Sequence, residues 1–569
     1  MDTGTKVYRN YFPIKFGLQA DIQFGKAYPV FRKLMYPGDV FKVHADLLIR
    51  YQPMFTPPMN DCVATVRFGF VPLQLIESNT ELIVTGSNDG HLSEETIPVM
   101  DSVFKYLNVG TVTINEKHSV LDYLYQIPAG INLATSGLLD KLDVDKASPA
   151  AYFAKAFYRF WWDYYRDENL FTAYTDFESY WNTRRLGLHS NGYIPSVCLK
   201  KDRLTSALPW QLKAVAPPMI EINGAATFTP NYTNNFFYGL GNTASDYPIP
   251  SDPNTGEDNI TYANNGLNFG LQPFALQQGL LESDDDFASR VGIANTRMKG
   301  SLNQAQSITP VMAGFSGAQF REMMAQTRIF ERLARCGSRY TEYLRANFGI
   351  APADDTLQRA QYLGGFKTRI VTTEIIQTAG AGESPVGTLR GHGITHGTAT
   401  IKPYMAKEIG VMIGILDVKP ETIYAQGVDR ELTVRSRFDF LNPSFQHLSE
   451  QEVRKGEIYF GVDTDSDGNL VNSKTWGFQP YAQELRTGVK HVCGDMRDSL
   501  SAWNQALIFS SRPSLNNAFI SASNHQVSYN RPFVVNNATA YPMLIDFGGV
   551  IEAYRPLVKN GTPGLVDHN

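Results

Sequence analysis

Four cysteines are few for 569 residues, and Cys62, Cys198, Cys336 and Cys493 stand too far apart for a CxxC pair or a zinc-ligand spacing. A disulfide scaffold and Cys-based metal fingers are thereby excluded, and reduced, mostly buried thiols of a protein assembled in cytosol are expected. Apolar runs are short as well. None approaches the roughly 20 residues of a bilayer-crossing helix, so no membrane insertion is expected. The opening MDTGTKVYRN has no apolar stretch of the kind a secretion signal carries, so export by that route is not expected. Positive charge is not in excess either: 51 Lys and Arg against 56 Asp and Glu give a net charge of −5. A chain that neutralises a nucleic-acid backbone unaided is normally basic. Any contact with a genome must therefore be local, or carried by a separate basic partner. The 46 Gly and 31 Pro follow no period, which excludes a collagen-like repeat and fits many turns.

Aromatics are plentiful, with 34 Phe and 29 Tyr, and they lean toward strands, where they fit a half-buried pleated surface. Alternation with a period of two marks residues 39–51, where Phe41, Val43, Ala45, Leu47, Ile49 and Tyr51 share one face. Cys62, Ala64, Val66, Phe68 and Phe70 repeat the pattern, ended by Pro72. Further strands are expected over 411–418, over 432–440 (Leu432, Val434, Ser436, Phe438, Phe440) and over 543–553. Helical spacing is rarer. A wide aromatic face, Tyr152, Phe153, Phe157, Phe160, Trp161 and Tyr164, follows Ser148-Pro149. A second helix is expected over 314–336, with Ser316 as cap, Phe320, Met323, Thr327, Phe330 and Leu333 on its apolar side, Gly337 at its end and a polar, arginine-rich connector after it, up to Gly365. A third, short one is expected over 495–509. Strands at both ends around a long middle point to one antiparallel sandwich with insertions. The middle, 217–300, is rich in Asn, Thr, Gly and Tyr. It is either disordered or an inserted subdomain, and its many aromatics favour the ordered insertion.

No cofactor fingerprint is present. Gly391-His392-Gly393 is not flanked as a dinucleotide site requires, and the glycines around His392 and His396 argue against a zinc-binding helix. Asp463, Asp465 and Asp467 with Gly468 copy the first half of a calcium loop, but Lys474 stands where a bidentate Glu is needed. A solvated acidic hairpin turn is the expected reading. Arg184-Arg185 and Lys200-Lys201-Asp202-Arg203 are compact basic clusters, candidates for sequence-blind phosphate contact or else solvated charge. The aromatic helix face could stack bases, but core or intersubunit packing is the favoured reading.

A run of wording identifies the chain more closely. Arg339-Tyr340-Thr341-Glu342, Phe348-Gly349-Ile350 and the stretch from Leu357 through Arg359 to Leu363-Gly364-Gly365 resemble the "RYTE", "FGV" and "LQRPEYLGG" of microvirus major capsid proteins, most of all the gokushovirus branch. Ala360-Gln361 replaces that Pro-Glu. Pro37-Gly38-Asp39, Leu208-Pro209-Trp210, Ser514-Leu515-Asn516 and the terminal Pro563-Gly564-Leu565 fall in the same order as their family counterparts. Stretch 217–300 is the unmatched gap. The resemblance implies a mainly β protein, an eight-stranded viral jelly roll with long inserted loops and a few helices, divided as 1–216, 217–300 and 301–569. It implies a non-enzymatic role: self-assembly into a T=1 icosahedral shell around circular single-stranded DNA. Implied partners are other copies of the chain, a small basic DNA-binding capsid protein, a pilot protein, an internal scaffolding protein and a host receptor. In the family the insertion projects at the threefold axes, so Tyr232, Asn234, Asn235, Phe236, Phe237 and Tyr238 become the candidate receptor-facing residues. The rival class is a hydrolase or sugar-binding module on a jelly-roll scaffold, a hydrolase needing two carboxylates about a sugar.

Overall fold

The computed structural model describes residues 8–85, 99–107, 116–130, 138–213, 259–261, 275–277, 317–336, 339–354, 357–378, 380, 386–445, 450–535 and 540–559. The chain forms two compact units, one made of Met1–Val215 with Ile329–Asn569 and the other of Ala216–Arg328.

Eight long strands build the first unit: β1 (Asn10–Ile22), β2 (Tyr28–Met35), β3 (Val40–Tyr51), β4 (Cys62–Pro72), β5 (Gln361–Ile376), β6 (Leu389–Thr400), β7 (Gly410–Pro420) and β8 (Met543–Arg555). They are hydrogen-bonded in the order β1-β8-β3-β6-β5-β4-β7-β2. Strand β5 joins two layers: its first part pairs with β4 and its second, from Val371, with β6. One layer is then β1-β8-β3-β6 and the other β2-β7-β4-β5, the order of a jelly roll wound from two Greek keys. The expected fold class is the observed one. Strands β3 and β8 are neighbours in register from Tyr51↔Met543 to Val40↔Tyr554, although they lie at opposite ends of the chain.

The alternation in β3 decides which face it buries: Phe41, Val43, Ala45, Leu47, Ile49 and Tyr51 all point into the core. Aromatic rings close the gap between layers, Phe16 of β1 on Phe31 of β2 at 4.9 Å between centroids and Phe68 of β4 near Phe547 of β8 at 6.4 Å. Strand β7 is buried on both faces. Its outer face lies under α1 (Tyr152–Tyr164), which packs on β4 and β7 with Phe157, Tyr158 and Phe160 fully buried. Trp161 of α1 stacks on Tyr180 of α2 (Phe177–Arg184) at 5.3 Å. The aromatic face is thus core packing within the chain.

Four expectations are corrected. Residues 432–440 are not a strand: a single 3-10 turn, Arg430–Thr433, is followed by irregular chain. The Asp439 carboxylate accepts the N–H groups of Arg435 and Ser436, curling the segment on itself and taking donors a ladder would need. Residues 495–509 hold two 3-10 turns, Gly494–Arg497 and Ser501–Trp503, in place of a helix. Past α3 (Gly317–Cys336), the "RYTE" segment is no mere connector but α4 (Tyr340–Phe348). Glu342 accepts the Arg339 N–H at its start, and Gly349, at φ +70°, ends it. The thiols also differ from expectation: Cys62 is buried, Cys198 intermediate and Cys493 exposed. Ser316 and Gly337 lie outside the described residues.

Within the second unit, Asn259–Thr261 pairs antiparallel with Ala275–Gln277.

Candidate nucleic-acid interface

The loop carrying Lys200, Lys201 and Arg203 is organised by the residue between them. The Asp202 carboxylate accepts the N–H groups of Leu204 and Thr205 at 2.9 and 2.8 Å, and the Tyr424 hydroxyl donates to its other oxygen at 2.9 Å. That turn sends Arg203 inward. Only 3% exposed, its guanidinium donates to Glu457 at 2.5 Å and lies 3.4 Å from Asp429. Asp429 in turn meets His491 at 3.0 Å, and Arg430 stands 3.6 Å from Glu457. Arg203 is therefore committed to a buried ion network. Lys201 donates to Asp167 at 2.5 Å yet keeps half its side chain in solvent, and Lys200 is exposed with no ion pair among the described residues.

Both lysines line a cleft of about 780 Å³. The fold adds two cations there that no local cluster announced: Arg335, at the end of α3 and paired with the buried Glu450 at 2.6 Å, and Lys490, paired with Glu421 at 3.3 Å. Each lies more than 130 residues from Lys200 and Lys201 in sequence, so only the tertiary structure collects them. The cleft is charge-mixed: carboxylates pair with Lys201, Arg335 and Lys490, while Lys200 is exposed without an ion pair among the described residues.

Arg184 and Arg185 do not line this cleft. Arg184 lies over the rings of Tyr180 and Tyr193, at 5.0 and 5.6 Å, and Arg185 over Tyr106 at 4.7 Å. Both spend their planar cations on aromatic faces inside the helical layer. Tyr232, Asn234, Asn235, Phe236, Phe237 and Tyr238 lie outside the described residues.

The acidic loop is a hairpin turn, with Thr464 bridged to Leu470. Arg512 takes both oxygens of Asp463, and Lys474 takes Asp465 at 2.5 Å. Asp465 also accepts the N–H groups of Asp467 and Asn469. Lys474 and these N–H groups hold the Asp465 carboxyl below its ordinary value, and Arg512 does the same for Asp463. The carboxylates face separate cations and do not converge. Among the described residues no group of three His, Cys, Asp or Glu converges as a metal site would require.

The family model described as "Capsid protein (F protein)" matches residues 2–565. The chain belongs to that capsid-protein family. It is 25% identical to "Capsid protein VP1" of Chlamydia phage 1, with 98% of this chain and 96% of that protein aligned. To the protein of the same name from Bdellovibrio phage phiMH2K it is 26% identical, over 98% and 95%. To that of Spiroplasma virus 4 it is 22% identical, over 95% and 92%. These relatives are microvirus proteins, Chlamydia phage 1 being a gokushovirus, as the ordered wording of the sequence led one to expect. Full-length coverage means the likeness includes every strand of the jelly roll. The capsid protein's role is accordingly structural, in the virion shell, and its chemistry is self-association and not catalysis.

Proposed function

We propose that this capsid protein builds a T=1 icosahedral shell around a circular single-stranded DNA genome, helped by a small basic protein. Full-length membership of the capsid family carries the reading, and the eight-stranded jelly roll supports it. The net charge of −5 supports the basic partner, because this chain alone cannot neutralise packaged phosphates. Local contact then falls to exposed cations, Lys200 and Lys201 with Lys490, while Arg203, Arg184 and Arg185 hold the loops and helices behind them. Such contacts are sequence-blind and salt-sensitive. A pilot protein and an internal scaffolding protein act during assembly in the host cytoplasm, and the insertion 217–300 forms an outer protrusion, clustered by three, that meets a host receptor. Purified particles test the core of this: cryo-electron microscopy should show a T=1 shell, nuclease digestion of the contents should identify single-stranded DNA, and mass spectrometry should find a small basic protein. Particles holding DNA and this chain alone would overturn the partner. A monodisperse monomer incapable of assembly would overturn the shell.

A further inference from the structure

The segment with the composition of a strand has no strand partner among the described residues, and one face of it is exposed. In 430–441 the side chains of Leu432, Phe438, Phe440 and Leu441 are 77%, 62%, 61% and 59% exposed, and Leu485 across from them is 53% exposed. Phe438, Phe440, Leu441 and Leu485 line one hollow of about 510 Å³, with Tyr481 in its wall. An aromatic side chain hides on the order of 200 Å² when covered and a leucine somewhat less, so Phe438, Phe440, Leu441 and Leu485 leave roughly 450 Å² of apolar surface open in the hollow. That is in the upper half of what soluble monomers show in one patch, about 300–600 Å². It is also over half of the roughly 800 Å² that one partner contributes to a standard interface.

The face is held rigid. Asp439 ties the backbone of Arg435 and Ser436, the Arg430 guanidinium donates to the Glu452 carbonyl at 2.5 Å and sits 3.6 Å from Glu484, and Phe445 bridges the rings of Phe438 and Tyr481. A preorganised apolar face loses little conformational freedom when something docks on it. Acidic and basic groups are interspersed around it (Arg430, Glu431, Arg437, Asp439, Glu484), which favours neither a polyanion nor a strongly basic peptide.

We propose that this hollow is an interface between two copies of the chain, taking an apolar element of a neighbouring subunit's different surface, as closed shells built from one chain require. It rests on the shell reading above and names one of its contacts. Two experiments on the full-length protein decide it. Phe438→Ser with Phe440→Ser should leave the melting temperature of the unassembled subunit within about 2 °C of wild type, because both rings already face solvent. The same variant should raise the subunit concentration needed for particle formation at least ten-fold, whereas Val462→Ser, still more exposed but outside the hollow, should not. A photo-crosslinking p-benzoylphenylalanine at position 440 in assembled particles should join two copies of this chain. Variant particles forming at the wild-type concentration, or a crosslink to a different protein, would overturn the proposal. So would a lowered melting temperature of the free subunit, which would place the rings in its own core. If the wild-type protein itself forms no particles, the shell reading fails first and the interface with it.

Discussion

Arg203 is sealed from solvent between Glu457 and Asp429, and its role is decided by what would remain if it were removed. Truncating one partner of a buried pair strands the other charge in low dielectric, which typically costs 3–5 kcal/mol. Arg430, 3.6 Å from Glu457, softens that loss. Arg203→Met is therefore expected to destabilise the subunit by about 3 kcal/mol in urea denaturation, and pairing it with Glu457→Gln should recover part of the loss. Lys200→Ala, at an exposed position, should change stability by less than about 0.5 kcal/mol. A second residue links stability to pH. Asp21 meets His118 with both carboxylate oxygens, at 2.9 and 3.0 Å, and His118 stacks on Tyr541. Burial alone would raise the Asp21 carboxyl, yet the hydrogen bond and charge of His118 outweigh it and hold it below its ordinary value. A carboxyl depressed by folding adds stability that is complete above its unfolded value, near 4, and is lost as pH falls through its lower folded value. The gap in melting temperature between wild type and Asp21→Asn should thus be full above about pH 4 and close as the pH falls further below it. A gap independent of pH would show that the contact works by packing alone.

At the scale of elements, the seating of α1 on the sheet turns on one missing side chain. A Cβ at Gly69 of β4 would lie 2.2 Å from the Phe160 ring, so the helix reaches the strand only because that position is glycine. Gly69→Ala must push Phe160 or tilt α1, and overpacking of this kind costs about 1–3 kcal/mol. Thermal unfolding should show it, and Phe160→Leu in the same chain should restore part of the loss. Some elements were readable from the sequence for physical reasons. In β3, β4 and β8 one face is core and the other is not, so the apolar residues alternate. β7 was found as a continuous apolar run because both of its faces are covered. Others were hidden. β6 carries Gly391, Gly393 and Gly397, which argue against a strand locally, but a Cβ at Gly393 would strike the Tyr51 ring at 2.2 Å. Close approach of a neighbouring chain, invisible in one segment, makes glycine the right residue there. β5 begins inside "QYLGG", where Gly364, at φ +114°, marks the register shift against Phe68 and Gly69. The reverse error is as instructive. Residues 432–440 alternate as well as β3 does, yet among the described residues they pair with no strand. Alternation reports which residues could share a face; only a partner makes the face a sheet.

At the scale of the whole molecule, all eight long strands come from residues 10–72, 361–420 and 543–555, so among the described residues the sheet takes no strand from the unit Ala216–Arg328. A scaffold complete without an inserted unit tolerates its variation, and recognition is commonly placed on such insertions because a rigid frame holds them out. Asn and Tyr, abundant in 217–300, supply adaptable polar contacts and large aromatic anchors with little rotamer freedom to lose. Replacing residues 231–285 with a short Gly/Ser linker removes both strands of the Asn259–Thr261 and Ala275–Gln277 pair together, leaving no unpaired edge. The variant's subunit is expected to unfold at the wild-type temperature and its particles to assemble in near wild-type yield. Adsorption to host cells, counted as particles removed from suspension, should fall at least a hundred-fold. Normal adsorption by intact variant particles would place the receptor contact on the jelly roll's own loops. Failure to assemble, with the subunit still folded, would instead make the insertion part of the shell's contacts, and the protrusion reading would be lost.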